Sequence, residues 1–246
     1  MIRYLATFIL GVILLAPDAA AQIPSLEELL PKGESSTSGR IVQLVALLTV
    51  LSIAPGLLIT VTCFTRFIIA LSFLRAGLGL PTTPSNLVLI SLALFMTFFV
   101  MAPVFDEAWR TGINPLIKNE INEQEAYTRV TKPLRQFMLT NTRQQDLALF
   151  ADLAEKRIQV DPNAQEVDMR ILVPAFMISE LRRGFEIGFL IILPFLVIDL
   201  IVATLTMSMG MMMLPPTAIS LPFKVLFFVL IDGWNLLVGG LVRSFS

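Results

Sequence analysis

Residues 173–224 constrain the fold of this chain more than any other stretch. An apolar run over 187–207, interrupted by Pro194 and Asp199, leads into Gly210-Met211-Met212-Met213-Leu214-Pro215-Pro216, and a second apolar run covers 219–242. Pro215 and Pro216 stop a helix and bias the residues before them toward extended backbone. Three methionines between a glycine and two prolines cannot form a regular helix face. The pattern predicts two apolar helices joined by a short, flexible, sulfur-rich loop, with the rest of the chain placing that loop.

Composition says what surrounds such a hairpin. Of 246 residues, 55% are hydrophobic and 15% charged, with a mean hydropathy of +0.78. A soluble domain carries about a quarter charged residues, so the chain reads as an integral membrane protein or one that buries apolar helices in a large assembly. A net charge of −1 offers no basic patch for phosphates, which argues against nucleic acid as a partner. There is no histidine and one cysteine, Cys63. That excludes an intrachain disulfide, histidine acid–base chemistry and Cys/His zinc sites, and no cofactor is expected. Cys63 lies in an apolar segment and reads as a small buried hydrophobe.

Residues 1–21 have the layout of a signal peptide: Arg3 supplies the positive end, 5–15 the apolar core, and Ala19-Ala20-Ala21 the cleavage site. As a first membrane anchor the core is too short to span comfortably. Cleavage leaves Gln22 at the mature N-terminus, outside the cytoplasm, followed by a polar leader over 22–40. Residues 41–105 hold a first pair of hydrophobic segments, 41–63 and 86–104. Pro55-Gly56 kinks the first, and Pro103 closes the second. Between them, apolar character resumes after Thr62-Cys63-Phe64-Thr65-Arg66, and Arg66 and Arg75 mark this end as cytoplasmic by the positive-inside rule.

Residues 106–172 change character to a charged, helical insert, placed opposite the cytoplasm by alternation. Ala126, Val130, Leu134 and Phe137 share one helix face, and Leu147, Phe150, Leu153 and Ala154 another. Thr142-Arg143-Gln144-Gln145 resembles a capping box, and Asp161-Pro162-Asn163 reads as a turn. Residues 173–246 form the second hydrophobic pair with the methionine loop. Lys224 marks the cytoplasmic start of its last segment, and Asp232-Gly233-Trp234-Asn235 interrupts that segment. The expected fold class is all-α: membrane-associated helical hairpins with four hydrophobic segments and a helical extracytoplasmic insert. No internal repeat of the kind secondary transporters show is visible.

Four charges fall in apolar surroundings: Arg66, Asp199, Lys224 and Asp232. Each costs about 2.5–3.5 kcal/mol to place in hydrocarbon on insertion scales, so each needs a partner or a wet interior. A hairpin turning at 211–216 brings Asp199 and Lys224 level, which predicts a pair. Glu180, Arg182, Arg183 and Glu186 sit at helical spacing and can pair with one another or across subunits. Gly184 and Gly188 form a small-xxx-small pair that permits close helix approach.

These residues also resemble a known family. The run from Pro174 to Phe189, with Ser179-Glu180-Leu181-Arg182-Arg183-Gly184-Phe185-Glu186-Ile187-Gly188 at its centre, is similar to a signature of the FliP/SctR/YscR family of flagellar and type III secretion export-gate proteins. Pro194-Phe195-Leu196-Val197-Ile198-Asp199-Leu200 is similar to its second signature. Thr62-Cys63-Phe64-Thr65-Arg66, Leu74-Arg75 with Pro81, Pro84 and Asn86, and Gly210-Met211-Met212-Met213 with Pro215-Pro216 agree as well. The resemblance covers 41–245. The leader and much of 106–168 match only in character. The signal peptide and the Asp232-Gly233-Trp234 stretch favour the flagellar branch.

The resemblance implies a ring of about five copies assembled with FliQ and FliR, alongside the export-gate proteins FlhA and FlhB, in the bacterial inner membrane at the flagellar basal body. Unfolded flagellar subunits pass through its centre, and Met211, Met212 and Met213 close around the pore as a gasket. In such assemblies the helices rise out of the bilayer as a cone, so the four segments need not each cross it. Methionine suits a gasket on its own chemistry: it is unbranched and polarizable, so it seals against varied surfaces and yields to a passing chain. Without the resemblance, the same run reads as a hairpin tip anchored in lipid or core. The competing functions are an ion or small-solute transporter using Asp199 and Lys224, and an intramembrane hydrolase. The last lacks a Ser/His pair, a paired-aspartate motif and a metal cluster, so the expectation is a non-enzymatic pore subunit.

Overall fold

The computed structural model describes residues 44–46, 48, 49, 52, 53, 56, 59–155, 167–210 and 215–245. The signal peptide, the polar leader, Pro55, the Asp161-Pro162-Asn163 turn and Met211, Met212 and Met213 lie outside them. The chain divides into two units, 1–54 and 55–246. In the first, the described residues are helical, and Thr49 and Ser52 each donate a hydroxyl to the carbonyl one turn back, Val45 and Leu48, at 2.7 Å.

The second unit contains no strand among its described residues. Its helices are α1 (Phe64–Leu78), α2 (Asn86–Ala108), a π-helical turn (Trp109–Ile113) running into the short α3 (Asn114–Ile117), α4 (Glu123–Asn141), α5 (Gln144–Glu155), α6 (Met169–Ser208), α7 (Pro216–Leu230) and α8 (Gly233–Arg243). α6 is the axis. Its 40 residues make it about 60 Å long. It starts where Asp168 accepts the Arg170 backbone N–H at 2.8 Å, a side-chain N-cap. It then passes through Pro174 and Pro194 without ending.

α1 lies along α6 in parallel and in step. Arg66 meets Glu180, a Cβ added to Gly184 would stand 3.1 Å from Ile69, and one added to Gly188 would stand 2.5 Å from Phe73. At the far end a Cβ on Gly77 would meet Phe195 at 2.8 Å and Ile192 at 3.1 Å. The small residues therefore serve helix contact inside this chain, where bulkier side chains would force α1 and α6 apart. α1 stops at Gly79, whose φ of 74° is a left-handed conformation suited to glycine. The core centred on α1 takes Phe67, Leu71 and Leu74, with Leu89, Ala93 and Met101 from α2, Phe195 from α6, Phe228 from α7 and Leu237 and Leu241 from α8.

Three local expectations are corrected. Pro103 does not close the second segment: α2 continues to Ala108 and through the π-turn into α3, because a proline, which lacks the N–H donor, removes one backbone hydrogen bond and can bend a packed helix without ending it. Thr142 is not a capping residue. Its hydroxyl donates back to Met138 O at 2.7 Å, while the Arg143 N–H goes to Ser179 Oγ at 3.1 Å. Arg66 lies inside α1 and is fully buried, so it is not one of the solvated flanking charges that the positive-inside rule counts.

Two helical stretches, Asn86–Ile117 and Met169–Ser208, are long and apolar enough to cross a membrane, and α7 with α8, bent by 64°, makes a third if taken as one span. The bend falls at Asp232, in the left-handed region with φ 52°, and the Asn235 side chain donates to its carboxylate at 3.1 Å. A Cβ on Gly233 would come within 2.3 Å of the Phe228 ring. Many of the large apolar side chains along α6, among them Phe185, Phe189, Leu193, Leu196 and Leu200, are exposed. Surfaces of this kind face lipid or other chains.

Candidate functional site: two charged nodes on one helix

Among the described residues, two ion pairs join α6 to its neighbours. In the first, Arg66 donates from Nε to Glu180 Oε2 at 2.9 Å and from Nη2 to Glu180 Oε1, a two-pronged pairing that suits guanidinium and carboxylate. Both side chains are 0% exposed. The remaining Nη1 donates to the Ser244 carbonyl at 3.0 Å and to Ser244 Oγ at 2.9 Å. The Phe245 ring lies 3.5 Å from the guanidinium carbon, within reach of a cation–π attraction. The cation thus sits against the C-terminal end of α8, where helix carbonyls lack partners and positive charge is favoured.

The second node repeats this plan. Lys224 on α7 donates to Asp199 Oδ2 at 2.6 Å and to the Gly77 carbonyl, in the last turn of α1, at 3.1 Å. Ser220, one turn before Lys224, donates to the other carboxylate oxygen of Asp199 at 2.5 Å. Lys224 is 6% exposed and Asp199 31%. Once more a cation on one helix caps the end of a second and pairs with a carboxylate on α6. Glu180 and Asp199 are separated by about 28 Å along the axis.

The other charges singled out in the sequence are placed differently. Arg182 pairs with Glu186 at 2.8 Å, a fully surface arrangement of small energetic weight. Arg183 makes no ion pair or hydrogen bond among the described residues. Asp232 sits exposed at the α7–α8 bend. Met211, Met212 and Met213 lie outside the described residues, between Gly210 at the end of α6 and Pro215 before α7. Sequence reasoning missed Glu180 as the partner of Arg66, and with it Ser244, Phe245, Ser220 and the Gly77 carbonyl. A signal for the first existed. Glu180, Gly184 and Gly188 recur every four residues, on one buried stripe, whereas Arg182 and Glu186 lie on an exposed one.

Outside the membrane-length helices, the Arg170 guanidinium, followed by the Arg170 backbone N–H, holds the Asp168 carboxyl below the usual carboxylate range. No group of three or more metal-ligating side chains exists among the described residues.

A model of the FliP family matches residues 47–241. The chain belongs to the FliP family. It is 62% identical over 245 residues to the flagellar biosynthetic protein FliP of Rhizobium meliloti (strain 1021), covering the whole of both chains. It is 61% identical over 248 residues to that of Agrobacterium fabrum (strain C58), again end to end. The match to Bacillus subtilis (strain 168) FliP is 52% over 215 residues, 87% of this chain and 95% of the relative. A FliP family member with apolar helices of membrane length is a membrane-associated protein of flagellar biosynthesis and export.

Proposed function

We propose that this chain is a pore-forming subunit of the flagellar type III export gate, passing unfolded flagellar subunits across the inner membrane at the basal body. The observation that carries this reading is the end-to-end similarity to proteins named for flagellar biosynthesis. About five copies form a ring with FliQ and FliR, next to FlhA and FlhB. The chain supplies positioning rather than catalysis. α6 and α7 form a hairpin whose arms are pinned at Asp199 and Lys224, and the hairpin presents Met211, Met212 and Met213 to the pore axis as a gasket. Apolar rings exclude water and so close a pore to ions without a folded gate. Glu180, through Arg66, holds α1 against this arrangement, while Arg182 and Glu186 pair on the surface and, with Arg183, are the charges of this set left to meet neighbouring subunits. The transporter reading of Asp199 and Lys224 gains nothing from the comparisons.

The test is ion conductance, or growth at raised salt, with all three methionines replaced by alanine and the partners co-expressed. The complex is expected to assemble, to leak small ions at rest and to sensitise cells to salt. Single replacements have less effect, because neighbouring methionines close over the gap. An assembled triple variant that stays tight overturns the gasket role. A purified native complex whose mass corresponds to a lone chain overturns the ring.

A further inference from the structure

Ser244 and Phe245 follow α8 in sequence, yet they complete a site built by helices far away from them. Of the five N–H donors of the Arg66 guanidinium, those facing Glu180 are satisfied by α6. Among the described residues, the acceptors for Nη1 come from Ser244, through its carbonyl and its hydroxyl oxygen. Phe245 covers the guanidinium face, meets Phe67 edge-on with ring centres 5.5 Å apart, and stacks on Phe137 of α4 at 6.1 Å. Phe137 in turn meets Phe176 of α6 at 5.9 Å. These two residues therefore connect α1, α4 and α6 over one buried charge. With them lifted away, Nη1 has neither acceptor nor cover, and the Arg66–Glu180 pair faces solvent.

The α1–α6 contact does not depend on them, because Ile69 on Gly184 and Phe73 on Gly188 hold it separately. α8 also has a bend of its own at its other end, the 64° angle at Asp232. We propose that Ser244 and Phe245 form a latch that docks onto Arg66 and can lift as a local unit, opening the buried pair while α1 and α6 stay together. Sub-global opening of this kind is expected of a segment held by a few contacts at one end of a helix.

The chain carries its own reporter. Cys63 is its single cysteine, fully buried, three residues before Arg66 and in the same core cluster that Phe245 packs against. The experiment measures the rate at which a membrane-permeant maleimide labels Cys63 in membranes holding the full-length chain, together with thermal stability. Phe245→Ala is expected to accelerate labelling about tenfold or more. Ser244→Ala, which keeps the carbonyl, accelerates it less. Leu237→Ala, buried in the same core but outside the Arg66 site, lowers stability with a smaller gain in labelling. Unchanged labelling in Phe245→Ala overturns the latch. So do labelling rates that track lost stability on one line for Phe245→Ala and Leu237→Ala alike. If Phe245→Ala does not accumulate, Phe245→Leu, which keeps apolar volume and removes the ring face, is read by the same criteria.

Discussion

The two nodes on α6 use one plan in two environments. At each, a cation pairs with a carboxylate of α6 and donates to a carbonyl at the end of a third helix. Arg66 and Glu180 are wholly enclosed, whereas Asp199 remains 31% exposed. The chemistry follows the difference. Guanidinium, with its rigid fork of donors, occupies the enclosed site, where Glu180 and Ser244 supply the acceptors that water does not. The compact ammonium of lysine occupies the site where water reaches the carboxylate. A closed pair contributes little net energy but is costly to break, since a lone buried charge is left behind.

The largest effect is expected at the enclosed node. Glu180→Ala leaves Arg66 buried and unpaired, and a loss of about 3–5 kcal/mol is expected, read as loss of folded protein in membranes and a fall in unfolding temperature. Exchanging the pair, Arg66→Glu with Glu180→Arg, does not rescue it, because a glutamate at position 66 faces the Ser244 carbonyl and the Phe245 ring.

At the open node the expected loss is about 2 kcal/mol, with an order that tests the burial argument. Asp199→Ala strands the buried Lys224 on one carbonyl and costs more than Lys224→Met, which leaves a carboxylate in contact with water and Ser220. Asp199→Lys with Lys224→Asp restores complex yield in part, limited by the new aspartate facing the Gly77 carbonyl. Equal losses in the two single variants, measured as yield of assembled complex, break the distinction between the nodes.

Between the nodes, Gly188→Ala drives a methyl group to 2.5 Å from Phe73 and is expected to cost about 1–2 kcal/mol, more than Gly184→Ala, whose nearest neighbour is at 3.1 Å. Thermal unfolding of the two variants gives the order.

The smallest effect lies at the start of α6. Asp168 caps the helix, and its folded carboxyl titrates below its unfolded range. Its contribution is therefore complete above the unfolded value near 3.9 and is lost as pH falls through the depressed folded value. Asp168→Ala removes about 1 kcal/mol at neutral pH, and the difference from the unsubstituted chain shrinks in acid. A gap in stability that grows on acidification contradicts the capping account.

How much of this was legible follows from where each partner lies. Asp199 and Lys224 are solitary charges in two successive apolar runs joined by a turn, so the hairpin leaves few other geometries. The all-helical fold and the break at Asp232-Gly233 were equally plain, from apolar runs and a turn pair. Arg66 and Glu180 are 114 positions apart, and Glu180 has Arg182 and Arg183 beside it as decoys. Only the helix rotation, which puts Glu180 on the stripe of Gly184 and Gly188, separates it from them. Pro103 misled because proline's local rule yields when the flanking turns are packed.

The alignment of α1 with α6 has a mechanical consequence. Ile69 and Phe73 fit into notches cut by Gly184 and Gly188, and the ends are fastened by Arg66 to Glu180 and by Gly77 against Ile192 and Phe195. Two rods keyed together in this way can neither slide nor roll past each other without dislodging a bulky side chain from its notch. They bend and tilt as a single stiff beam, and a load applied at one end is carried to the other as a change of angle.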